Sequence, residues 1–229
     1  MSLFAIGDLH LSLTSGKPMD VFGGGWDNYV EKIKEGFSAL EPDDVCVLCG
    51  DLSWGMTLEE SMEDIRFIDA LPGKKIILKG NHDYWWETVT KMKNAFAQNG
   101  IESIEILHNN CFRYGGAVIC GTRGWLLETE ADAAHNAKIV SRETMRLRAS
   151  LEAAEDAPEK LCFLHYPPRF NEQTCPEIIA AMKDYNVTQC FYGHIHGYGH
   201  RFAFQGCADG IKYSMVSADY LGFAPKKIV

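Results

Sequence analysis

Val45-Cys46-Val47-Leu48-Cys49-Gly50-Asp51 is a short apolar run that stops at a glycine and then a carboxylate, and Leu3-Phe4-Ala5-Ile6-Gly7-Asp8 repeats that arrangement near the start of the chain. A third apolar stretch, Lys75 to Leu78, runs into Gly80-Asn81-His82-Asp83. These runs (Leu3 to Gly7, Val45 to Cys49, Lys75 to Leu78) read as strands alternating with amphipathic helices, the order of βαβ layering around a sheet. Between the second and third, Thr57 and Glu60 make a capping box. Leu58, Met62, Ile65 and Ile68 follow as one helical stripe, which Pro72-Gly73 ends.

After Asn99-Gly100 the pattern changes to short strands about a Gly115-Gly116 turn, then to a polar helix predicted from Ala131 to Asp156. Its stripe is Val140, Thr144, Leu147, Leu151 and Ala154, and Pro158 lies beyond its end. Leu161 to Leu164 and Val187 to Tyr192 read as buried strands with a helix from Pro176 to Asp184 between them, and Arg201 to Phe204 with Lys212 to Ser217 reads as a closing hairpin. Nothing repeats and no low-complexity linker interrupts the 229 residues, so one domain, 1–229, is expected. Gly23-Gly24-Gly25 lies in a loop from Ser12 to Gly25; with no Gly-Lys-Ser or Gly-Lys-Thr after it, it reads as a flap and not a phosphate-binding loop.

A content of 46% hydrophobic and 23% charged residues is that of a chain with a packed core, which sets disorder aside. The net charge of −9 repels a polynucleotide backbone, although divalent cations in a pocket would invert the field locally. A small-molecule partner is therefore expected over nucleic acid. The first residues carry no basic leader and no run is long enough to span a membrane. Eight scattered cysteines in a chain of this size read as reduced thiols of a cytoplasmic protein. Cys46 and Cys49, three apart in a strand, should face opposite sides, which removes a redox role. Cys111 and Cys120 would face each other across the Gly115-Gly116 turn, and packed thiols are expected there also.

Five segments hold nearly every hard donor: Asp8-Leu9-His10, Gly50-Asp51, Gly80-Asn81-His82-Asp83, His165 and Gly193-His194-Ile195-His196. Each follows an apolar run, so each falls at a strand end, where layered α/β folds bind their ligands. Carboxylates, an amide oxygen and imidazoles without a thiolate suit Mn, Fe, Co, Ni or Zn. In an extended Asp8-x-His10 the two side chains would point the same way and reach one ion. His194 and His196, in a turn, can diverge towards neighbouring ions. Gly50, Gly80 and Gly193 each precede a candidate ligand, where a side chain would crowd the backbone.

This set, D-x-H, G-D, G-N-H-D, a lone H and G-H-x-H in order from Asp8 to His196, resembles the calcineurin-like metallophosphoesterases. The resemblance implies an α/β fold, a four-layer α-β-β-α sandwich of two mixed sheets flanked by helices. It implies one metal on Asp8, His10, Asp51 and His196, a second on Asp51, Asn81, His165 and His194, and Asp51 as the bridge. It implies hydrolysis of a phosphomonoester or phosphodiester by in-line attack of a metal-bridging hydroxide, with two divalent ions about 3.5 to 4 Å apart. His82 would be the general acid at the leaving group and Asp83 would orient it.

The Gly50-Asp51 segment continues Leu52-Ser53-Trp54-Gly55, without the aspartate and arginine of the phosphoprotein phosphatase branch, which argues against a protein serine/threonine phosphatase. Arg123 or Arg169 could grip phosphate instead, or be salt-bridged surface residues. Trp54, Trp85, Trp86 and Trp125 lie near the motifs and read as core before an aromatic platform. His108, His135 and His200 receive no role. Two other functions stay open: an inactive metal-bearing scaffold, against which His82 stands, and a nuclease, against which the acidic surface stands. The oligomeric state is not legible in the chain.

Overall fold

The computed structural model describes residues 1–126, 133–154 and 156–229. Two mixed sheets stack face to face. The first has the order β13-β1-β2-β3-β4, built from β1 (Leu3–Ile6), β2 (Val45–Leu48), β3 (Lys74–Ile77) and β4 (Ile104–Ile106), all parallel, with β13 (Lys226–Lys227) antiparallel on the outer edge. The second has the order β11-β12-β10-β7-β6-β5. Its parallel centre is β12 (Ile211–Met215), β10 (Val187–Tyr192), β7 (Glu159–Leu164) and β6 (Ala117–Thr122). Antiparallel β11 (Gly206–Ala208) and β5 (Phe112–Tyr114) close its edges, and β8 (Arg169–Phe170) pairs with β9 (Gln173–Thr174) in a small ribbon apart.

Three apolar clusters correspond to the three interfaces of four layers. Alternation along β1 and β2 sends Leu3, Ala5, Val45, Val47 and Cys49 inward, against Ile119, Leu161, Phe163 and Phe191 of the second sheet. The intervening Phe4, Ile6, Cys46 and Leu48 face α1 (Tyr29–Phe37), α2 (Met62–Ala70) and α3 (Val89–Gln98). On the far side Cys120, Cys162, Leu164, Cys190 and Tyr192 pack under α4 (Ala133–Glu152) and α5 (Pro176–Asp184). Each completely buried leucine on these stripes, Leu147 and Leu151 among them, contributes roughly 1.5–3 kcal/mol by leaving water. The four-layer α-β-β-α arrangement expected from the motifs is the observed one.

Cys46 and Cys49 fall in different cores, on opposite faces of β2 as their spacing requires. All eight cysteines are free.

Several element limits differ from the sequence reading. The long helix ends at Glu152, short of Asp156, and its expected first residues, 131–132, lie outside the described residues. Thr57 and Glu60 form a turn leading into α2, with Glu60 N–H on Thr57 Oγ1 at 3.2 Å, and the helix proper begins at Met62. The closing hairpin pairs β12 with Gly206–Ala208, not with Arg201 to Phe204. Gly197–Phe202 forms a 3₁₀ turn instead, which carries the chain across the cleft before it reaches the sheet. α1 and α3 were not anticipated, although Tyr29, Ile33 and Phe37, and then Met92 and Phe96, repeat at helical spacing. Thr88 caps α3 by accepting from Lys91 N–H. No helix among the described residues is long and apolar enough to cross a membrane.

Candidate metal centre

The carboxyl ends of both sheets meet at one edge and are stitched together there. Gly7 N–H donates to Val216 C=O at 2.7 Å and Ala218 N–H to Gly7 C=O at 3.0 Å, joining β1 to the end of β12; Gly193 N–H donates to His165 C=O at 3.1 Å. The five donor segments leave from this edge, at the ends of β1, β2, β3, β7 and β10. Asp8 (φ 62°), His10 (φ 46°), Asp51 (φ 52°) and His194 (φ 73°) all take left-handed backbone, which L residues adopt at a cost and keep where the surroundings fix it. Asp8-Leu9-His10 is consequently not the extended segment expected; left-handed backbone at both ends, and not strand alternation, brings its side chains together while the chain runs on parallel to Gly50-Asp51-Leu52. A Cβ on Gly193 would collide with the Asp8 carboxylate and one on Gly80 with the Asp51 carboxylate, so close approach explains both glycines.

The donors gather in two groups, Asp8 with His10 and His196, and Asp51 with His165 and His194, with ligand atoms in each within 4.8 Å of one another. Asn81 joins the second: its Oδ1 is 2.6 Å from His165 Nε2 and 2.9 Å from His194 Nδ1. Asp51 Oδ2 stands between the groups, 3.5 Å from His165 Nε2 and 3.8 Å from His10 Nε2. His194 and His196 diverge, one to each group.

Ring tautomers decide what these contacts mean. His165 Nδ1 lies 2.9 Å from the Cys49 carbonyl, which can only accept, so the proton sits on Nδ1 and Nε2 carries a lone pair. That lone pair faces Asn81 Oδ1, Asp51 Oδ2 and, at 3.2 Å, His194 Nδ1. In the other group His196 Nδ1 is held by Asp219 Oδ1 at 3.0 Å, which turns Nε2 towards His10 Nε2 at 3.2 Å. Burial drives His165 down to about 3 and His10 and His194 well below the usual range, so each of these rings is neutral and has one nitrogen free to bind a cation. Imidazole nitrogens and carboxylate oxygens converge at each focus, with an amide oxygen at the second, an arrangement that fits a cation at each. The outer hydrogen bonds from His165 and His196 are of the kind that orient metal-bound imidazoles.

Without a cation the same crowding lifts the carboxylates. Burial, with a contribution from the other carboxylate, raises Asp8 to about 8, and burial raises Asp51 to about 6. His196 is pulled down by burial, yet the Asp219, Asp8 and Asp51 carboxylates outweigh that and hold it at about 8.

His82 stands over the groups without joining either. Its N–H donates to Asp51 Oδ1 at 2.7 Å, and its ring tilts against Trp54 at 4.5 Å and lies 5.8 Å from the His10 ring. These residues open onto a cleft of about 570 Å³ walled also by Met19, Phe22, Trp26 and Asp219. The glycine run thus belongs to the cleft wall, as short 3₁₀ turns Met19–Phe22 and Gly24–Trp26.

Other expected residues are placed differently. The Asp83 carboxylate accepts from Asp51, Leu52 and Gly80 N–H and from Trp85 Nε1, at 2.7 to 3.0 Å. It fastens the two loops that carry Asp51 and Asn81, whereas His82 Nδ1 lies 3.5 Å from Tyr84 Oη. Arg169 pairs with Asp209 and lies over Phe204 and Tyr213. Arg123 pairs with Glu143 at 3.3 Å in an adjoining pocket. Of the tryptophans, Trp85 and Trp125 are buried, Trp86 is half-buried, and Trp54 stacks on His10 at 5.0 Å. Two residues escaped sequence reasoning: Trp26, edge-on to His10 and His196, and Asp219, which holds both His196 and His200. Asp219 does follow an apolar strand, Ile211–Met215, closely enough to share the pattern of the other donors.

The molecule is thus a two-sheet α/β sandwich with paired donor groups at its carboxyl edge, each able to hold a metal ion. The calcineurin-like phosphoesterase model matches residues 1–198, and the chain belongs to that family. Among solved structures it is similar to a phosphopantetheinyl hydrolase from Mycobacterium tuberculosis (16% identity, 100% of this chain and 95% of that one, TM-score 0.58). It is similar also to a protein of unknown function from Aquifex aeolicus (17% identity, 99% and 95%, TM-score 0.53) and to a protein from Thermus thermophilus (16%, 85% and 81%, TM-score 0.53). At these identities the likeness is one of fold. No curated protein matches the chain.

Proposed function

We propose that the chain is a dinuclear phosphoesterase acting on a small-molecule phosphomonoester or phosphodiester. The observation that carries this is the convergence of potential ligand atoms from Asp8, His10, Asp51, Asn81, His165, His194 and His196, with Asp51 between the two groups. Two divalent cations held there, from Mn, Fe, Zn, Co or Ni, would supply Lewis acidity towards a phosphoryl oxygen and lower the pKa of water. The chain's own contribution is positional. Asp219 and the Cys49 carbonyl fix the His196 and His165 rings, and Asp83 holds the Asp51 and Gly80 loops in register.

His82 acts as general acid, delivering a ring proton to the departing oxygen from the cleft side. Its N–H bond to the Asp51 carboxylate fixes it relative to the donors, and Trp54 limits its ring. The half-buried setting excludes part of the water that would compete for that proton. Arg123 remains a substrate-binding candidate from the neighbouring pocket; the Arg169–Asp209 pair favours a structural reading of Arg169. The acidic net charge of −9 disfavours a polynucleotide substrate, and eight free thiols agree with a cytoplasmic setting.

Manganese-loaded protein is expected to hydrolyse a chromogenic aryl phosphate or its diester. His82→Ala should lose about 10²–10⁴ of that rate while keeping both metals. A loaded chain inactive on every monoester, diester and cyclic nucleotide in a panel would leave a metal-bearing scaffold as the function.

A further inference from the structure

Beside the metal cleft is a second pocket of about 390 Å³ that contains none of the seven donors and not His82. It lies at the same edge, between the sheets: Lys79 follows β3, His108 follows β4, Arg123 follows β6, and Glu143 and Arg146 come from α4. The backbone joins it to the centre, since Lys79 directly precedes Gly80-Asn81 and the Arg123 carbonyl accepts from His165 and Tyr166 N–H at 3.1 and 2.8 Å.

Its charges do not balance. Glu143, fully buried, is the shared partner of Arg123 at 3.3 Å and Arg146 at 2.7 Å, and it also accepts from Thr122 Oγ1 at 2.8 Å. One carboxylate thus serves two guanidinium groups. The Lys79 ammonium has no acceptor within hydrogen-bonding distance among the described residues, and Arg123 Nε is buried without one. The Glu87 carboxylate on the rim is engaged by Lys91 at 3.3 Å. A buried donor without an acceptor costs free energy unless a ligand supplies one.

We propose that the pocket bounded by Lys79, Arg123 and Arg146 is an anion site for a phosphoryl group other than the one at the metal cleft. Planar guanidinium groups and an ammonium are the donors that recognise such oxygens, and Trp86 gives the pocket a flat apolar wall against which an attached fragment can rest. The phosphoryl group is either a remote phosphate of the substrate, in which case the proposal rests on the phosphoesterase reading, or a free phosphate acting beside it.

Calorimetric titration of inorganic phosphate into the manganese-loaded full chain tests this. Lys79 has no acceptor to lose among the described residues, so Lys79→Gln should fold with an unchanged melting temperature and bind phosphate here about ten-fold more weakly; Lys79→Glu should abolish this binding. Asp51→Ala, which removes the bridging donor of the cleft, should leave it intact, so failure of the metal centre and failure of this site are told apart. If Lys79→Gln raises KM only for an ester carrying a second phosphate, the group belongs to the substrate; if phosphate still binds and alters turnover of a simple monoester, it is free. An isotherm identical in wild type, Lys79→Gln and Lys79→Glu would overturn the proposal.

Discussion

The two pockets at the carboxyl edge are opposites. The cleft collects metal-ligand atoms: nitrogens of four imidazoles, an amide oxygen and two carboxylates face one another at 2.6 to 3.8 Å. Its neighbour collects cations around one buried carboxylate. Each is half of an electrostatic interaction, the first lacking a positive centre and the second a negative one, though one edge of two sheets builds both. Burial makes the imbalance consequential, because uncompensated groups of either sign are expensive out of water.

The largest expected effect comes from removing the carboxylate that stands between the two donor groups. Asp51→Ala should bind fewer than two metal ions per chain and lose all measurable ester hydrolysis, as followed by elemental analysis and a chromogenic assay. Asp219→Ala comes next. With Asp219 absent the His196 ring loses its orienting bond, and metal affinity should fall about 10–100-fold. Excess manganese should restore much of the turnover, a rescue not expected if Asp219 acted only on folding.

A smaller effect, with a definite sign, concerns the metal-free chain. Asp8 at about 8 and Asp51 at about 6 lie above the roughly 3.9 of an unfolded aspartate. These two groups hold extra protons in the folded state between about pH 4 and 8 and lower its stability as pH rises, whereas His10, His165 and His194, depressed by burial, act with the opposite sign up to about pH 6.5. His196, raised to about 8, loses its extra proton at the upper end and adds the sign of the aspartates. Above about pH 7 only the destabilising sign is left, so the urea midpoint of chelator-treated protein should be lower at about pH 9 than at about pH 7, and manganese should shrink or invert the difference. A midpoint that climbs over the same interval in the chelated chain would contradict the balance of charges described for the cleft. The smallest effect is expected of Arg169→Gln, whose partner Asp209 is partly exposed: KM and kcat should change less than two-fold or so, with stability lower by at most about 1 kcal/mol.

Most of the cleft could be read from the chain because each donor follows its strand within a few residues, so pattern and place coincide at Asp8, Asp51, Asn81, His165 and His194. What escaped depends on contacts distant in sequence. Asp83 was expected beside His82, but its partners are the backbone N–H groups of Gly80 and of Asp51 and Leu52, some thirty residues back, which leave no mark in residue types. Arg169 looked available because Asp209, forty positions on, gives no sign of pairing with it. The backbone at Asp8 and His10 is not legible in the chain, because left-handed conformation at non-glycine residues is set by tertiary surroundings. α1 and α3, by contrast, were visible in the spacing of Tyr29, Ile33 and Phe37 and of Met92 and Phe96. The neighbouring pocket required both sheets and α4 to be in place before Arg123 and Arg146 could be seen to share one carboxylate beside Lys79.

Anomalous diffraction at the manganese edge, from crystals grown with excess manganese, addresses the whole construction. Two peaks about 3.5 to 4 Å apart, with Asp51 touching both, Asp8, His10 and His196 around one, and Asn81, His165 and His194 around the other, is the predicted result. A density map with no peak between these side chains, or a single ion that leaves Asp51 uncoordinated, would contradict it.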